Sequence, residues 1–199
     1  HLMKPALLTK LTDIAVTLNP IQYAARTFPG ESRILAALYE ADIDYDLFDP
    51  AADIPRKKII FYSGNQWLPR CAHENLRAYV ESGGTLVAFR NFPRKDEYFE
   101  PCPLLGFEDP SQALFEFRKK FTLTLNKRSP IEVTSSVFSF RGSPGKPIRA
   151  SFGNYGLQTV GYVKSIGRGK IMHLGFQPTK EILLEVLTYF GIPIYSNSP

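Results

Sequence analysis

The sequence predicts an α/β fold in which a doubly wound parallel sheet carries an inserted antiparallel, strand-rich segment. Strand-like and helix-like segments alternate through the first half of the chain, which is typical of β-α-β units. The run KKIIFYSG at 57–64 has a continuously apolar centre, as in a strand that is covered on both faces. Residues 117–170 lose the helical period and are rich in Thr, Val, Phe and Ser. The 199 residues, 44% of them hydrophobic, are enough for one substantial core.

The first half contains four strands and two helices. In chain order we predict a strand at 13–20, a helix at 30–43, strands at 44–50 and 57–64, a helix at 69–84 and a strand at 85–91. Asn-Pro and Asp-Pro dipeptides end the first two strands, because proline cannot donate to a strand ladder. The first helix is predicted from the helical spacing of Ile34, Leu35, Leu38 and Tyr39. A glycine pair ends the second helix.

The second half reads as antiparallel strands followed by a closing strand and helix. The strands are predicted at 121–126, 131–140, 158–166 and 170–176, with a hairpin turn at 167–170. The final helix covers 179–191, with Thr179 as its N-cap and Gly191 just past its end. We therefore expect one domain overall, in which the α/β part occupies 4–116 and 166–195 and the β-rich insertion occupies 117–165.

Charge is distributed unevenly along the chain. Residues 117–170 carry 11 basic side chains and one acidic side chain, Glu132, whereas the chain as a whole has a net charge of +5. This pattern favours a negatively charged partner, either a neighbouring protein surface or a nucleic acid. The alternative interpretation is a solvated hairpin surface. The segment contains no nucleic-acid-binding motif, and aromatic residues in strands are more often part of a core than stacking platforms.

The two cysteines, Cys71 and Cys102, form neither a disulfide framework nor a zinc-ligand set. We expect no metal and no cofactor, and the cytoplasm as the default compartment. No apolar run reaches the roughly 20 residues that a membrane-spanning helix needs. The first residues, HLM, resemble an expression remnant, so we expect a domain excised from a longer chain.

Polar side chains follow the predicted parallel strands. These residues are Asn19, Asn65, Gln66, Trp67, Arg90, Asn91 and Gln177. Because ligands of open parallel sheets bind at the carboxyl ends of the strands, we expect any small-molecule site there, and we take all of them except Asn19 as candidate ligand-binding residues. Amides suit sugar hydroxyls, and an indole suits the C–H face of a sugar ring. The alternative is that these amides cap helices and satisfy loop backbone.

Cys71 is a candidate nucleophile, because it lies near a helix N-terminus beside Arg70. His73, two residues further along the helix, points away from Cys71 and cannot easily act as its base. The alternative is a small buried cysteine. His173 lies inside an apolar strand, which favours a packed histidine.

Three segments together resemble the class I glutamine-amidotransferase-like domain of multidomain β-galactosidases, the trimerisation domain known best from glycoside hydrolase family 42. They are ENLRAYVESGGTLVAF at 74–89, GKPIRASFGNYGLQTVGYVKSIGRGK at 145–170 and SIGRGKIMHLGFQPTKEILLEVL at 165–187. The resemblance implies a flavodoxin-like sheet.

The resemblance also implies that the amidotransferase chemistry is lost. Arg90 or Asn91 stands at the place of the cysteine nucleophile, Gln177 at that of the histidine and Thr179 at that of the glutamate. A glutamine cannot act as a general base, and no thiolate is present for a base to activate. We therefore predict that the site that corresponds to the amidotransferase active site has no catalytic residue.

We therefore expect a non-catalytic structural and oligomerisation domain of a glycoside hydrolase of β-galactosidase type. Its partners would be the other domains of that enzyme and further copies in a homo-oligomer, and it could line the sugar site. We expect no membrane partner. The alternatives are a carbohydrate-binding or sensing module with a strand-end pocket, a basic nucleic-acid-binding module, and an amidotransferase-like enzyme that uses Cys71.

Overall fold

A computed structural model describes residues 12–20, 31–105, 111–126, 130–141 and 145–194. Within these residues the chain forms nine strands and three α-helices. The strands are β1 (Ile14–Thr17), β2 (Asp46–Phe48), β3 (Ile59–Tyr62), β4 (Thr85–Phe89), β5 (Ser111–Leu123), β6 (Ile131–Arg141), β7 (Lys146–Ser151), β8 (Leu157–Ile166) and β9 (Gly169–Leu174). The helices are α1 (Glu31–Glu40), α2 (Arg70–Glu81) and α3 (Lys180–Tyr189).

All nine strands belong to one mixed sheet in the order β2-β1-β3-β4-β9-β8-β7-β5-β6. The pairs from β2 to β9 are parallel, and the pairs from β9 to β6 are antiparallel. The strand-rich segment therefore extends the same sheet beyond β9. Its first strand begins at Ser111, ahead of the boundary predicted at 117. The predicted hairpin turn is confirmed, because Ile166 pairs with Gly169 across a two-residue loop.

The parallel part is covered on both faces, which explains its apolar strands. Alternate residues of one strand point to opposite faces of a sheet. Phe61 and Val87 pack in the cluster that includes α1 and α3, whereas Ile60 and Leu86 pack in the cluster that includes α2. Each strand of this part must therefore be apolar at consecutive positions.

The helices follow the predicted periodicity with one correction. In α1, Ile34 and Leu38 are buried, but Tyr39 is 85% exposed. One helical step of about 100° carries position 39 off the face that Ile34 and Leu38 share, so the prediction that Tyr39 lies on the apolar face is wrong. The predicted N-cap of α3 is confirmed, because the Thr179 side chain accepts a hydrogen bond from the Ile182 N–H.

The hairpin of β5 and β6 reaches across the carboxyl end of β9. The Phe138 N–H donates to the Gly175 carbonyl at 2.7 Å. A Cβ atom at position 175 would lie 2.4 Å from the Phe138 carbonyl oxygen, so this approach of two backbones requires glycine. Phe121 of the same hairpin packs edge-on against Phe176, with ring centroids 5.2 Å apart. The hairpin thereby becomes a wall beside the ends of the parallel strands.

None of the described helices is both long enough and apolar enough to cross a membrane.

Candidate functional site

A cleft of about 430 Å³ lies where β3, β4 and β9 end. Gln66 follows β3, Arg90 and Asn91 follow β4, and Gln177 follows β9. The remaining lining residues are Arg33 of α1 and Thr134, Ser135, Ser136 and Phe138 of β6. Four of the predicted ligand-binding residues thus share one cavity, because the carboxyl ends of adjacent parallel strands meet at one edge of the sheet.

Arg90 adopts a left-handed backbone conformation, with φ of 54°. This conformation is costly for a residue with a Cβ and persists only where the surroundings hold it. The Arg90 N–H donates to the Leu174 carbonyl at 2.6 Å, and the Arg90 carbonyl accepts from His173 Nε2 at 3.2 Å. Both backbone groups of Arg90 are therefore held by the neighbouring strand β9.

His173 is a buried structural histidine that supports this conformation. A carbonyl can only accept, so the bond to Arg90 places the ring proton on Nε2, and Nδ1 accepts from the Tyr162 hydroxyl at 3.1 Å. Burial lowers the pKa of the His173 imidazole to about 4, which keeps the ring neutral near pH 7. Both ring nitrogens are used within the fold, as expected for a packed histidine.

The Arg90 side chain is directed by β6. Its Nη1 donates to Ser136 Oγ at 3.2 Å, and its guanidinium carbon lies 5.2 Å from the centre of the Phe138 ring. Such cation–π stacking holds the plane of the guanidinium. β6 is in turn tied to the end of β9, since the Gln177 N–H donates to Ser135 Oγ at 3.3 Å.

The cleft has a positive character. Arg33 and Arg90 line it, and no carboxylate does so among the described residues. Neither guanidinium pairs with a carboxylate anywhere in the described ranges. Two positive charges therefore face a cavity whose other polar groups are amides and hydroxyls.

Asn65 and Trp67 do not line this cleft. The Asn65 carbonyl accepts from the Tyr62 hydroxyl at 2.5 Å. The Trp67 ring packs against Phe99 with centroids 5.7 Å apart, and residue 67 forms a bridge with Lys95. Asn19, at the end of β1, is buried. The structure thus divides the predicted residues into a cleft group and a group in the neighbouring loop.

The contribution of β6 was missed by sequence reasoning. Ser135, Ser136 and Phe138 lie about 45 residues from Arg90 in the chain, and nothing in their local pattern distinguishes them from other strand residues. The available signal was Gly175, since a glycine near a strand end often marks the close approach of another backbone.

Cys71 lies on the surface at the second position of α2, so the interpretation as a small buried cysteine is wrong. A residue facing away from the sheet at the first helical turn is open to solvent. His73 is buried instead, its Nε2 donates to the Lys95 carbonyl at 2.9 Å, and burial lowers its pKa. The two side chains therefore occupy different faces of the helix.

The described residues contain no paired nucleophile and base in the cleft. Asp96, Glu97 and Glu100 share one loop, where Asp96 Oδ1 accepts from the backbone N–H groups of Tyr98 and Glu100. No group of three or more His, Cys, Asp or Glu side chains is close enough to hold a metal ion in the described part of the chain.

A larger cavity of about 680 Å³ lies at the amino end of the strands. Two of its lysines are engaged in ion pairs. Lys58 pairs with Asp13 at 2.9 Å, and Lys57 pairs with Asp46 and donates to the Thr12 carbonyl.

Comparison with solved structures places the fold among β-galactosidases. A cold-adapted β-galactosidase from Rahnella sp. R3 matches with a TM-score of 0.71 and 13% identity, over 95% of this chain and 32% of that one. The β-galactosidase from Bacillus circulans sp. alkalophilus matches with a TM-score of 0.73 and 13% identity, over 94% and 32%. A GH42 β-galactosidase from G. stearothermophilus matches with a TM-score of 0.64 and 15% identity, over 92% and 30%. The chain therefore spans about a third of the length of these enzymes.

No curated protein matches this sequence. The family model described as GLMA-like, second domain, matches residues 21–134. This match covers more than half of the 199 residues, and it agrees with the resemblance to the trimerisation domain of β-galactosidases. The chain belongs to the GLMA-like second-domain family.

Proposed function

We propose that this chain is a non-catalytic structural and oligomerisation domain of a glycoside hydrolase of β-galactosidase type. The observation that carries the proposal is the match of almost the whole chain to about a third of several β-galactosidases. The hydrolytic chemistry would then reside in the other two thirds, where a (β/α)₈ barrel of about 250 residues has room. The other domains and further copies of the same protein would be its partners.

The geometry of the cleft supports an ancestry in the class I glutamine amidotransferases. The parallel strands run in the order β2-β1-β3-β4-β9 with helices on both faces, the order of flavodoxin-like sheets. Arg90 keeps the left-handed turn in which such folds present a nucleophile, but its side chain is a guanidinium. Gln177 lies in the same cleft at the place of the base. The cleft would thus be a remnant of a catalytic site without its reacting groups.

The oligomerisation role is tested by light scattering on the longer protein that carries this domain. We expect a homo-oligomer for the intact protein and a monomer after removal of residues 12–194, because the removed surface supplies the subunit contact. The 199-residue chain alone is then assayed with glutamine and with chromogenic galactosides, and no turnover is expected.

Two outcomes would contradict the proposal. One is an unchanged molar mass after the deletion, provided that the remaining protein is folded by circular dichroism. The other is turnover by the 199-residue chain that Cys71→Ala abolishes, since this would assign catalysis to the exposed thiol. Cys102→Ala is the matched control for the second outcome, although Cys102 is buried.

The second candidate function is ligand binding or sensing at the cleft. It is favoured by the convergence of Gln66, Asn91 and Gln177 with Arg90 in a cavity of about 430 Å³. Cavities of about 300–1,000 Å³ are typical of small-molecule sites. The cytoplasm is the proposed compartment for either function, supported by two cysteines that are both free.

A further inference from the structure

We propose that the cleft formed by Arg33, Gln66, Arg90, Asn91, Ser136 and Gln177 binds the oxyanion of a hydroxylated small molecule, such as a carboxylated or phosphorylated sugar. This inference rests on the second candidate function and names its ligand class. It is independent of the oligomerisation role.

The first argument is charge. Two guanidinium groups line the cleft without a carboxylate beside them in the described chain, and neither has an ion-pair partner there. A concave site lined by one sign of charge concentrates ligands of the opposite sign. A neutral ligand would leave both charges uncompensated as it displaced their water, whereas an oxyanion compensates them.

The second argument is the fixed position of Arg90. Its backbone is held at both ends by β9, and its guanidinium is held by Ser136 Oγ and the Phe138 ring. Of its five N–H groups, one has an acceptor among the described residues. A planar guanidinium with free donors suits bidentate contact to carboxylate or phosphate, and little side-chain freedom remains to be lost on binding.

The third argument is the neutral remainder of the lining. The side-chain amides of Gln66, Asn91 and Gln177 can both donate to and accept from hydroxyl groups. Amides together with a guanidinium in one cleft match a ligand that carries hydroxyls and one anionic group. The volume of about 430 Å³ is sufficient for a monosaccharide.

The test is calorimetric titration of the 199-residue chain at constant ionic strength with four ligands that share one ring. They are galacturonate, galactose 6-phosphate, galactose and galactosamine. We expect saturable binding of an anion at least about tenfold tighter than that of galactose, since a charge-assisted bidentate pair is absent from the neutral sugar. Comparison of galacturonate with galactose 6-phosphate distinguishes a carboxylate site from a phosphate site.

Three variants locate the interaction. Arg90→Lys keeps the charge but removes the planar guanidinium that can donate two parallel hydrogen bonds to one oxyanion. We expect the affinity for the preferred anion to fall about tenfold, with the affinity for galactose unchanged. Arg33→Ala, at an exposed position of α1, should also lower the affinity for the anion and leave the affinity for galactose unchanged. Arg168→Ala is the matched control, because Arg168 is an exposed arginine in the β8–β9 turn at the opposite end of the sheet.

The remaining outcomes overturn the inference at different levels. If galactose binds as tightly as both anions, the cleft is a neutral sugar site and the oxyanion assignment fails. If Arg168→Ala weakens the anions as much as Arg90→Lys, the binding belongs to a diffuse basic surface. If no ligand saturates a chain whose urea unfolding is cooperative, the strand-end ligand site itself fails, and the oligomerisation role is unaffected.

Discussion

His173 gives the protein a defined sensitivity to acid at the scale of a single residue. Burial lowers its pKa from the ordinary 6.5 to about 4, so in this interval the unfolded chain binds more protons than the folded chain. The contribution of the neutral His173 ring to the free energy of unfolding is fully present above pH 6.5, and it is lost as the pH falls toward 4. We expect His173 to lower the free energy of unfolding by about 1.4 kcal/mol per pH unit across this window. Urea unfolding at a series of pH values measures it.

The matched variants separate titration from hydrogen bonding. His173→Phe removes the hydrogen bonds that the ring makes with the Arg90 carbonyl and the Tyr162 hydroxyl, so we expect the free energy of unfolding to fall by about 1–3 kcal/mol at neutral pH. Its pH dependence should be shallower, and the residual slope includes His73, whose pKa burial also lowers. Tyr162→Phe should be destabilised but keep the full slope. Equal slopes in His173→Phe and the original protein would show that His173 does not titrate in this way.

At the scale of elements, Gly175 controls how closely the β5–β6 hairpin approaches the cleft. A Cβ atom at this position would meet the Phe138 carbonyl at 2.4 Å, and neither backbone can yield without moving a strand. We expect Gly175→Ala to lower the free energy of unfolding by about 3 kcal/mol, as in overpacked sites. The substitution should also lower the affinity of the cleft for any ligand, because Ser136 and Phe138 would move with β6. Urea unfolding and calorimetric titration measure the two effects.

Gly153→Ala is the control for this prediction. Position 153 has a left-handed φ of 57°, but a Cβ atom there would meet nothing within 4 Å. It should therefore show only the backbone cost of about 1–2 kcal/mol and no effect on the cleft. A Gly175→Ala protein as stable as the original, with the same ligand affinity, would show that the hairpin can shift freely.

At the scale of the whole molecule, the basic strands form one end of the sheet. Lys119 lies over the Tyr155 ring, and Lys120 pairs with Glu132 at 2.8 Å. Lys127 and Arg128, two of the basic residues of this segment, lie outside the described residues. We propose that this end faces an acidic protein surface, because interface charges set orientation and association rate. Binding to random DNA and RNA at two salt concentrations tests the nucleic-acid alternative.

We expect weak binding to nucleic acid that vanishes with a modest increase in salt. The double variant Lys146→Ser, Arg149→Ser removes two exposed charges of β7, and Arg56→Ser, Lys180→Ser removes two exposed charges elsewhere. Both should reduce this weak binding to a similar extent. Sub-micromolar binding near physiological salt that only the β7 variant removes would overturn the protein-interface assignment. For a true nucleic-acid site, the logarithm of the binding constant would fall with the logarithm of the salt concentration, with a slope of about −0.9 for each phosphate contact.

Local pattern was sufficient for most elements of the fold. The apolar run at 59–62, the helical spacing in α2 and the Thr179 cap each depend on neighbours a few residues away, so the chain itself reveals them. Local pattern is insufficient for residues at the margin of a helix face, which can lie either toward the core or toward solvent. Tyr39 was assigned to the apolar face and a buried Cys71 was one of two interpretations, yet both residues are exposed, because periodicity tolerates an aromatic or a thiol at the margin of a helix face.

The sequence by itself determined the α/β class, the family and the polar ends of the parallel strands, since these follow from periodicity, motif order and the rule that such ends share one edge. Tertiary structure alone decided which of those residues meet. In the folded chain Arg90 contacts Ser136 and Phe138, which lie about 45 residues away in sequence. Asn65 and Trp67 lie instead in the adjoining loop, outside the cleft. The physical reason is that the path of the β5–β6 hairpin depends on its long-range contact with Gly175, and no local preference encodes such a contact.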